Sequence, residues 1–472
     1  MNNYISSLVN FYLEKNYIDK QDIVYCCNRV AALIGEEEVI YNEDAKPNLY
    51  SSLKSLVNIA IKNNRIEDFV YSKEVVESKI TDIFIEKPSK VQKMFESNDI
   101  VSAYTNFYNQ CVDTNYIKAN DLAKNIHFKR IIEDNPIEIS INLAKPEKDP
   151  IEIEKLLHVK STSYPKCLLC VENVGFEGNV KHPARTNHRV INLKLNNQDW
   201  VFQYSPYLYY NYHCILIEKK HRDMKITDNT IKIQLDFIDK FKNFFIGNNA
   251  SIPIVGGSIL DHNHFQGGIY TFPINHAKTL FETNIDNVKI EYLSWHLTTL
   301  RLTTDSKDKM ISSVNRIRSS WINYSNEVII NNNNNSLNYI CRKSDDLYEV
   351  LIIFRNNSTS DEFPDGIYHP SPEYFHIKKE NIGLIEAMGL AILPARLLEE
   401  LDEVKSFIKD NIDINNSIHY NWAKKIKAQY TNQNIDEYIE DEIAKRFVDI
   451  LKCCDVLKYC SNKEEIIKEI IR

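Results

Sequence analysis

The spacing of apolar side chains predicts helices through the first third of the chain. Ile5, Leu8 and Tyr12 recur at the helical period of about 3.6 residues, and Leu53 and Val57 repeat it further along. Lysine, glutamate and aspartate fill the faces between them. The first 140 or so residues are therefore predicted to form a helical scaffold or a dimerisation region, and no group of catalytic residue types stands out there.

The pattern changes to short β-type runs beyond residues 146–150, where prolines interrupt the chain. Runs rich in β-branched and aromatic residues, separated by turn residues, predict strands at 189–193, 200–204 and 213–217. Helical spacing over residues 231–245 predicts one long helix ahead of a glycine- and histidine-rich strand. This unit is therefore predicted to be mixed α and β, with largely antiparallel strands.

The remainder of the chain predicts a further α and β unit. Five consecutive asparagines at 331–335 predict a loop with nothing to pack. Residues 347–354 predict a strand, residues 380–398 a helical region with an apolar face, and residues 437–472 a run of amphipathic helix. Two such units in series would fit a duplicated architecture, although no short-period repeat is evident.

Composition and charge narrow the class of protein. The 472 residues are 43% hydrophobic and 26% charged, which is typical of globular proteins. A formal net charge of -8 argues against a general nucleic-acid binder, but it permits an enzyme that acts on nucleotides. The absence of an apolar run of about 18 residues or of a signal-like start predicts a cytoplasmic protein without a membrane partner. Ten cysteines in a chain of this length do not indicate a disulfide framework.

The stretch at residues 256–268 carries the densest set of chemically useful side chains. His262, His264 and Gln266 alternate along it, so an extended strand would project all three from one face. Glycine pairs on either side let the backbone approach a ligand closely. The spacing predicts a site for an anionic ligand.

His264 is the candidate nucleophile of this site. An imidazole can attack phosphorus and carry the transferred group covalently, provided that an acceptor holds its other ring nitrogen. A single histidine on a strand is more often an ordinary hydrogen-bonded polar residue. Gly256, Gly257 and Ser258 would supply phosphate donors beside it, and together with His262 and Gln266 they favour a phosphate-handling site.

Cys167 and Cys170 form a CxxC pair with three possible interpretations. Such a pair is a redox couple, half of a zinc site or a coincidence. A redox couple would need a βαβ context, which the pattern does not predict. His221 and His262 lie at later strand ends and would complete a Cys2His2 set suited to tetrahedral zinc, but the wide spacing alone does not decide the matter.

A basic run at residues 182–189 offers further anion-binding groups. Arg185, His188 and Arg189 lie within it, and the planar guanidinium suits phosphate oxygens. The alternative interpretation is a solvated loop before a strand.

Taken together, these motifs resemble the class II galactose-1-phosphate uridylyltransferases, the bacterial branch of the histidine-triad transferases. The resemblance extends over most of the chain, including its helical start. The matching stretches are residues 167–173, 182–189, 203–207, 253–258, 262–268, 355–357, 363–370 and 388–397.

The resemblance implies an α+β fold with two histidine-triad-like antiparallel-sheet units and their helices, preceded by a mainly helical N-terminal region. The implied boundaries are 1–150 for the helical region, 151–310 for the catalytic unit and 311–472 for the second unit.

The resemblance also implies a UDP-glucose–hexose-1-phosphate uridylyltransferase of galactose metabolism, the Leloir pathway. Such an enzyme moves UMP from UDP-glucose to galactose 1-phosphate by a ping-pong mechanism, through a uridylyl group on the second motif histidine, here His264. Histidine-triad hydrolases carry a third histidine where this chain has Gln266. A neutral amide can hydrogen-bond a phosphoryl oxygen but cannot shuttle protons to water, which favours transfer over hydrolysis.

The family pattern extends to ligands and partners. It implies a structural zinc on Cys167, Cys170, His221 and His262, no organic cofactor, and a homodimer that binds neither nucleic acid nor membrane. The implied substrate-binding residues are Asn173, Arg185, His188, Arg189, Asn211, Gly256, Gly257 and Ser258. Two rival hypotheses are a related histidine-triad nucleotidyl phosphorylase or hydrolase, and a non-catalytic, zinc-stabilised nucleotide-binding protein.

Overall fold

The computed structural model describes residues 2–143, 164–179, 182–257, 259–327, 329, 333–410 and 412–472. Helices fill the first part of these ranges, and antiparallel strands with further helices follow, which confirms the predicted α+β class. The helices are α1 (Asn2–Glu14), α2 (Ile23–Ile34), α3 (Leu49–Lys62), α4 (Val70–Asp82), α5 (Pro88–Ser97), α6 (Ile100–Asp113), α7 (Ala119–Leu122), α8 (Asp228–Lys240), α9 (Lys307–Asn323), α10 (Leu384–Ala387), α11 (Leu397–Asp410), α12 (Tyr420–Lys427), α13 (Ile435–Cys453) and α14 (Lys463–Ile471). The strands are β1 (Ile126–Ile132), β2 (Asn135–Asn142), β3 (Ile191–Leu195), β4 (Gln198–Tyr204), β5 (Cys214–Glu218), β6 (Phe245–Gly247), β7 (His264–Gly268), β8 (Thr279–Ile285), β9 (Val288–Leu293), β10 (Thr299–Thr304), β11 (Asn335–Ser344), β12 (Leu347–Asn356) and β13 (Leu390–Pro394).

A single ten-stranded sheet organises most of the molecule. Its strand order is β3-β4-β5-β7-β6-β11-β12-β10-β9-β8, and every neighbouring pair is antiparallel. The three-residue strand β6 pairs with β7 on one side and with β11 on the other, so it joins the two halves of the sheet. The motif strand β7 consequently lies near the middle of the sheet, between β5 and β6.

The helical prediction for the first 140 or so residues is wrong at its end, where β1 and β2 form a hairpin. Side chains along β1 alternate between half-buried and exposed, which is the two-residue period of a strand. Glu133 and Asp134 connect the strands with φ angles of 51° and 65°, as a two-residue hairpin turn requires. Strand β13 adds to β2 in parallel to complete a three-stranded sheet.

Two further predictions fail because local backbone features interrupt the expected element. The helix expected over 380–398 is limited to α10 and the first two residues of α11, because Gly389 adopts a φ of 98° and the chain continues as β13. The helix expected over 231–245 ends at Lys240, and Phe245 instead begins β6. The C-terminal run is two helices, α13 and α14, separated by a short connection.

The prediction that the asparagine run is a loop with nothing to pack is wrong at its last residue, Asn335. Asn335 is buried and begins β11, where its amide nitrogen donates to the carbonyl oxygens of Trp321 and Tyr324 at 2.8 and 2.9 Å. Its side chain therefore holds the end of α9 against the sheet. Asn331 and Asn332 lie outside the described residues.

The remaining strand predictions agree with β3, β4, β5 and β12 to within two residues at each end. The predicted boundary between residues 310 and 311 lies inside α9, and the division into three units stays a prediction. No helix in the described part of the chain is both long and apolar enough to span a bilayer.

The large core beneath the ten-stranded sheet supports the motif strand from one side. Phe265 is 1% exposed and stacks on the buried Trp200, with ring centroids 5.1 Å apart. Because side chains alternate along a strand, Phe265 occupies the face of β7 opposite to His264 and Gln266. Apolar packing on this face therefore positions the polar side chains on the other.

Replacing Phe265 by alanine should leave a cavity under β7 and lower the free energy of unfolding by about 3–5 kcal/mol. Urea-induced unfolding followed by circular dichroism would measure the change. Leu280→Ala is the control, because Leu280 is 60% exposed on the edge strand β8 and its loss should cost less than about 0.5 kcal/mol. Equal effects of the two substitutions would contradict the assignment of Phe265 to the core support.

Candidate active site

Strand β7 brings two of the three motif side chains to one face. Ile217 of β5 lies opposite His264, and Ile215 lies opposite Gln266, so His264 and Gln266 share a face as predicted. The prediction that His262 lies on the same strand is wrong, because β7 begins at His264 and His262 occupies the bend before it.

That bend is held by backbone contacts. Ile259 adopts a φ of 60°, and the amide of Asn263 donates to the carbonyl oxygen of Arg222 at 2.7 Å. The turn directs the imidazole of His262 toward the cysteine pair, while its carbonyl oxygen remains beside His264.

His264 is 3% exposed and is held in one tautomer by its own chain. Its Nδ1 lies 2.8 Å from the carbonyl oxygen of His262. A carbonyl can only accept, so Nδ1 carries the proton and Nε2 presents a bare lone pair. Burial lowers the pKa of His264, which favours the neutral imidazole near pH 7. This is the state that a nucleophilic histidine needs before it attacks.

Gln266 is oriented by a histidine that the sequence reasoning missed. Nε2 of the buried His213 lies 3.3 Å from the amide oxygen of Gln266. Because an amide oxygen only accepts, the imidazole donates and the NH2 group of Gln266 remains available as a donor. Burial lowers the pKa of His213 to about 4, so this histidine is neutral near pH 7. Its position at the start of the strand predicted over 213–217, which pairs with the motif strand, was the one signal that could have found it.

The glycine pair before the motif lies against a distant backbone segment. Gly256 has a φ of 75°, and a Cβ built there would overlap the carbonyl group of Ile382. The guanidinium of Arg355 donates to the carbonyl oxygens of Val255 and Ile382, both at 2.9 Å, and is 1% exposed. Arg355, whose part in this loop the sequence did not predict, therefore clamps the glycine segment. Gly257 is exposed beside it, and Ser258 lies outside the described residues.

The four predicted metal ligands converge within 4.8 Å of one another. The Sγ atoms of Cys167 and Cys170 are 3.5 Å apart, and each lies 3.2 Å from an imidazole Nδ1, of His262 and His221 respectively. A tetrahedral zinc site would place such atoms roughly 3.4–3.8 Å apart, given metal–ligand bonds of about 2.0–2.3 Å. The donor set and its spacing therefore fit a metal ion such as zinc.

The cluster is supported by second contacts of its ligands. Nε2 of His262 lies 2.8 Å from the carbonyl oxygen of Glu218, so it donates and leaves Nδ1 facing the thiols. Asn173 donates from one amide nitrogen to the carbonyl oxygens of Cys167 and Cys170, each at 2.8 Å. Asn173 is thus committed to the cysteine turn, and its predicted substrate contact stays a prediction.

The basic run is anchored by the N-terminal helical region. Arg189 is 6% exposed and donates to Asp82 at the end of α4 at 2.7 Å and to the carbonyl oxygen of Glu86 at 2.8 Å. The amide of Asn187 donates to the hydroxyl of Thr81 at 2.9 Å. These contacts occupy the Arg189 guanidinium with protein partners and assign a bracing role to α4.

Arg185 and His188, two other predicted substrate residues, lie on Tyr116 near the basic run's anchor. His188 is stacked on Tyr116 at 4.7 Å, and its Nε2 lies 3.0 Å from the amide oxygen of Gln203. Burial lowers the pKa of His188 to about 3. The guanidinium carbon of Arg185 lies 5.3 Å from the centroid of the Tyr116 ring. Asn211 is exposed, and its carbonyl oxygen accepts from the amide of Ile269 at 3.0 Å, just beyond β7.

Within the described ranges, no hydrogen bond or ion pair joins Arg185, His188 or Arg189 to His264. The structure therefore connects His264 to the metal-ligand cluster through His262, with Gln266 on the same face of β7, and it places the basic run in a second set against α4.

Gly256→Ala should destabilise the site much more than Gly175→Ala, its matched control. Both glycines have a positive φ, 75° and 77°, so both substitutions carry a backbone cost of about 1–2 kcal/mol. Only Gly256 meets other atoms, since a Cβ at Gly175 has nothing within 4 Å. Thermal unfolding of the two variants should show a clearly lower Tm for Gly256→Ala. Equal Tm values would mean that the glycine loop does not need its close approach to Ile382.

Comparisons with known proteins place the whole chain in one family. The galactose-1-phosphate uridyl transferase N-terminal domain matches residues 16–223, and the C-terminal domain of the same family matches residues 237–424. The chain belongs to the galactose-1-phosphate uridyl transferase family, which confirms the resemblance predicted from its motifs.

Individual relatives match almost from end to end. A galactose-1-phosphate uridylyltransferase of Clostridium perfringens strain 13 is 41% identical, over 97% of this chain and 96% of its own length. Those of Clostridium acetobutylicum and Streptococcus pneumoniae serotype 4 are 40% and 38% identical, over 98% and 100% of this chain and 97% and 99% of their own lengths. Among solved structures, yeast Ap4A phosphorylase Apa2 is 10% identical and covers 66% of this chain and 92% of its own, with a TM-score of 0.36, too low to inform the fold.

Proposed function

We propose that this protein transfers UMP from UDP-glucose to galactose 1-phosphate through a covalent uridylyl group on His264. The observation that carries the proposal is the 2.8 Å contact between Nδ1 of His264 and the carbonyl oxygen of His262, which leaves Nε2 bare. Membership of the uridyl transferase family supports the choice of substrates.

The reaction is a pair of displacements at one phosphorus atom. In the first, the lone pair on Nε2 attacks the α-phosphorus of UDP-glucose, and the bond to the bridging oxygen breaks, so that glucose 1-phosphate leaves with the bonding electrons. Nδ1 keeps its proton, and the carbonyl of His262 stabilises the positive charge that develops on the ring. In the second, a phosphate oxygen of galactose 1-phosphate attacks the same phosphorus, the P–N bond breaks, and Nε2 regains its lone pair.

Gln266 directs the intermediate toward the sugar phosphate. Its NH2 group, oriented by His213, would donate to a phosphoryl oxygen in both steps. An amide has no titratable proton near pH 7, so it does not activate water as a third histidine would. Backbone N–H groups of Gly256 and Gly257 would donate hydrogen bonds to the phosphates. Ser258, whose role stays a prediction, would add a further donor.

Arg185 and His188 are retained as candidate contacts to the nucleotide or sugar phosphate, with Asn211 as a candidate contact to the nucleoside. Arg189 serves in this proposal mainly to fix the run against α4. The predicted homodimer and cytoplasmic location stay predictions.

The Cys2His2 cluster would hold a structural zinc ion on Cys167, Cys170, His221 and His262. A zinc ion with four protein ligands supplies folding energy rather than an activated water molecule. The zinc ion would affect the reaction through His262. The imidazole of His262 enters the cluster, and its backbone carbonyl oxygen sets the tautomer of His264.

The covalent intermediate is directly testable. Incubation with UDP-glucose labelled on the α-phosphate should leave acid-labile label on the wild-type protein, and His264→Ala should abolish the label and lower the exchange rate by about a thousandfold or more. His276→Ala is the control, since His276 is an exposed histidine outside the site. Label that persists in the His264→Ala protein would refute this nucleophile.

Metal analysis should find about one zinc ion per chain, as a four-ligand structural site requires. Cys167→Ser should lose most of the metal and unfold at a lower temperature, whereas Cys460→Ser, at a half-buried cysteine outside the cluster, should retain both metal and Tm. Purified wild-type protein without metal and with an unchanged Tm after chelation would contradict a structural zinc ion.

A further inference from the structure

A cavity of about 910 Å³ opens in the C-terminal part of the molecule, away from the residues assigned to transfer. One wall is a turn that includes Glu373 and leads to His376, and the opposite walls are α12 and α13. None of the residues that line it belongs to the nucleophile strand, the cysteine–histidine cluster or the basic run. It is therefore a separate feature that the transfer mechanism does not use.

A chain of three titratable side chains ends at this cavity. Nε2 of the fully buried His419 lies 2.9 Å from the carboxylate of Glu400, so it donates to that carboxylate. Nδ1 of His419 must then accept, and it lies 2.8 Å from Nδ1 of His376, which must donate. This order leaves Nε2 of His376 as a bare acceptor, with no hydrogen-bond partner among the described residues.

The electrostatic surroundings keep the two rings neutral. Burial lowers the pKa of His376 to about 3 and also lowers the pKa of His419. Arg396 binds Glu400 and donates to the carbonyl oxygen of His376 at 3.3 Å, so a cation also lies next to the pair. His376 is therefore an acceptor fixed by its neighbours rather than a proton-carrying cation.

Cations outnumber anions around the cavity. Lys424 and Lys425 are exposed on α12, and Arg446 of α13 lines the opposite wall, where it also pairs with Asp449 at 3.3 Å. Glu373 is the one carboxylate among the described lining residues. This excess of positive charge favours an anionic ligand, and the two lysines would attract it most strongly.

The cavity also has an aromatic wall. Trp422 is 3% exposed overall, and it lines the cavity together with Phe375. The indole ring, with Phe375 nearby on the wall, provides an apolar surface of the kind that sugar rings pack against.

We infer that this cavity is a second ligand site, for a phosphorylated sugar. Lys424 and Lys425 bind the phosphate, with Arg446 beside them. A sugar hydroxyl donates to Nε2 of His376, and the sugar ring packs against the aromatic wall of Trp422 and Phe375. The site combines a cationic edge, one fixed neutral acceptor and an apolar wall, and a phosphate monoester that carries hydroxyl groups matches all three.

Glucose 6-phosphate is a suitable probe, because the proposed transfer acts on hexose 1-phosphates. Isothermal titration calorimetry of the full-length protein should show binding of glucose 6-phosphate and much weaker binding of glucose. The double variant Lys424→Gln/Lys425→Gln should weaken that binding by about tenfold or more. His376→Phe, which keeps the ring shape and removes the acceptor, should weaken the binding of glucose 6-phosphate but not that of inorganic phosphate.

The matched control is Lys54→Gln/Lys62→Gln, which removes two exposed lysines from α3 and should bind glucose 6-phosphate as the wild type does. Rates of UDP-glucose exchange should be unchanged in the Lys424→Gln/Lys425→Gln protein, which also shows that it is folded. The inference fails if the cavity variant and the wild type bind glucose 6-phosphate equally, if glucose binds as well as its phosphate, or if both lysine pairs contribute alike.

Discussion

The hydrogen bond from Nδ1 of His264 to the carbonyl oxygen of His262 is the constraint around which the site is built. It spans only two residues, so its geometry depends on the bend that precedes β7. That bend is fixed on both sides, by the convergence of the His262 imidazole on the cysteine pair and by the hydrogen bond from Asn263 to Arg222. The backbone bend at His262 thereby determines that Nε2, and not Nδ1, of His264 is free to attack phosphorus.

The sequence predicted the shared face of His264 and Gln266 correctly, but it did not predict the bend at His262. Alternation of His264 and Gln266 on one face follows from the strand period, and it holds in the structure. His262 departs from that period because its side chain enters the cluster, a long-range contact with residues almost a hundred positions earlier that no local spacing encodes. The residue types and strand-end positions offered His221 as a possible partner of the cysteines, and the family resemblance then implied it as a ligand.

Contacts between distant segments account for most of what was missed. The hairpin of β1 and β2 follows a long helical stretch, and its turn residues Glu133 and Asp134 are not a typical glycine-containing pair. His213 and Arg355 act through strand neighbours and loop carbonyls that become adjacent only in the folded chain. The bracing of Arg189 by Asp82 likewise gives the helical region a use that its own composition did not suggest.

The cysteine–histidine cluster draws its ligands from both halves of the family pattern. Cys167, Cys170 and His221 fall in the first matched region, and His262 falls in the second, as does His264. Strand β5 belongs to the first matched region and strand β7 to the second, and the two strands pair with each other in the sheet. Neither region alone contains all four residues of the cluster. A gene cut between them would encode two fragments that regain a whole centre only by reassociating.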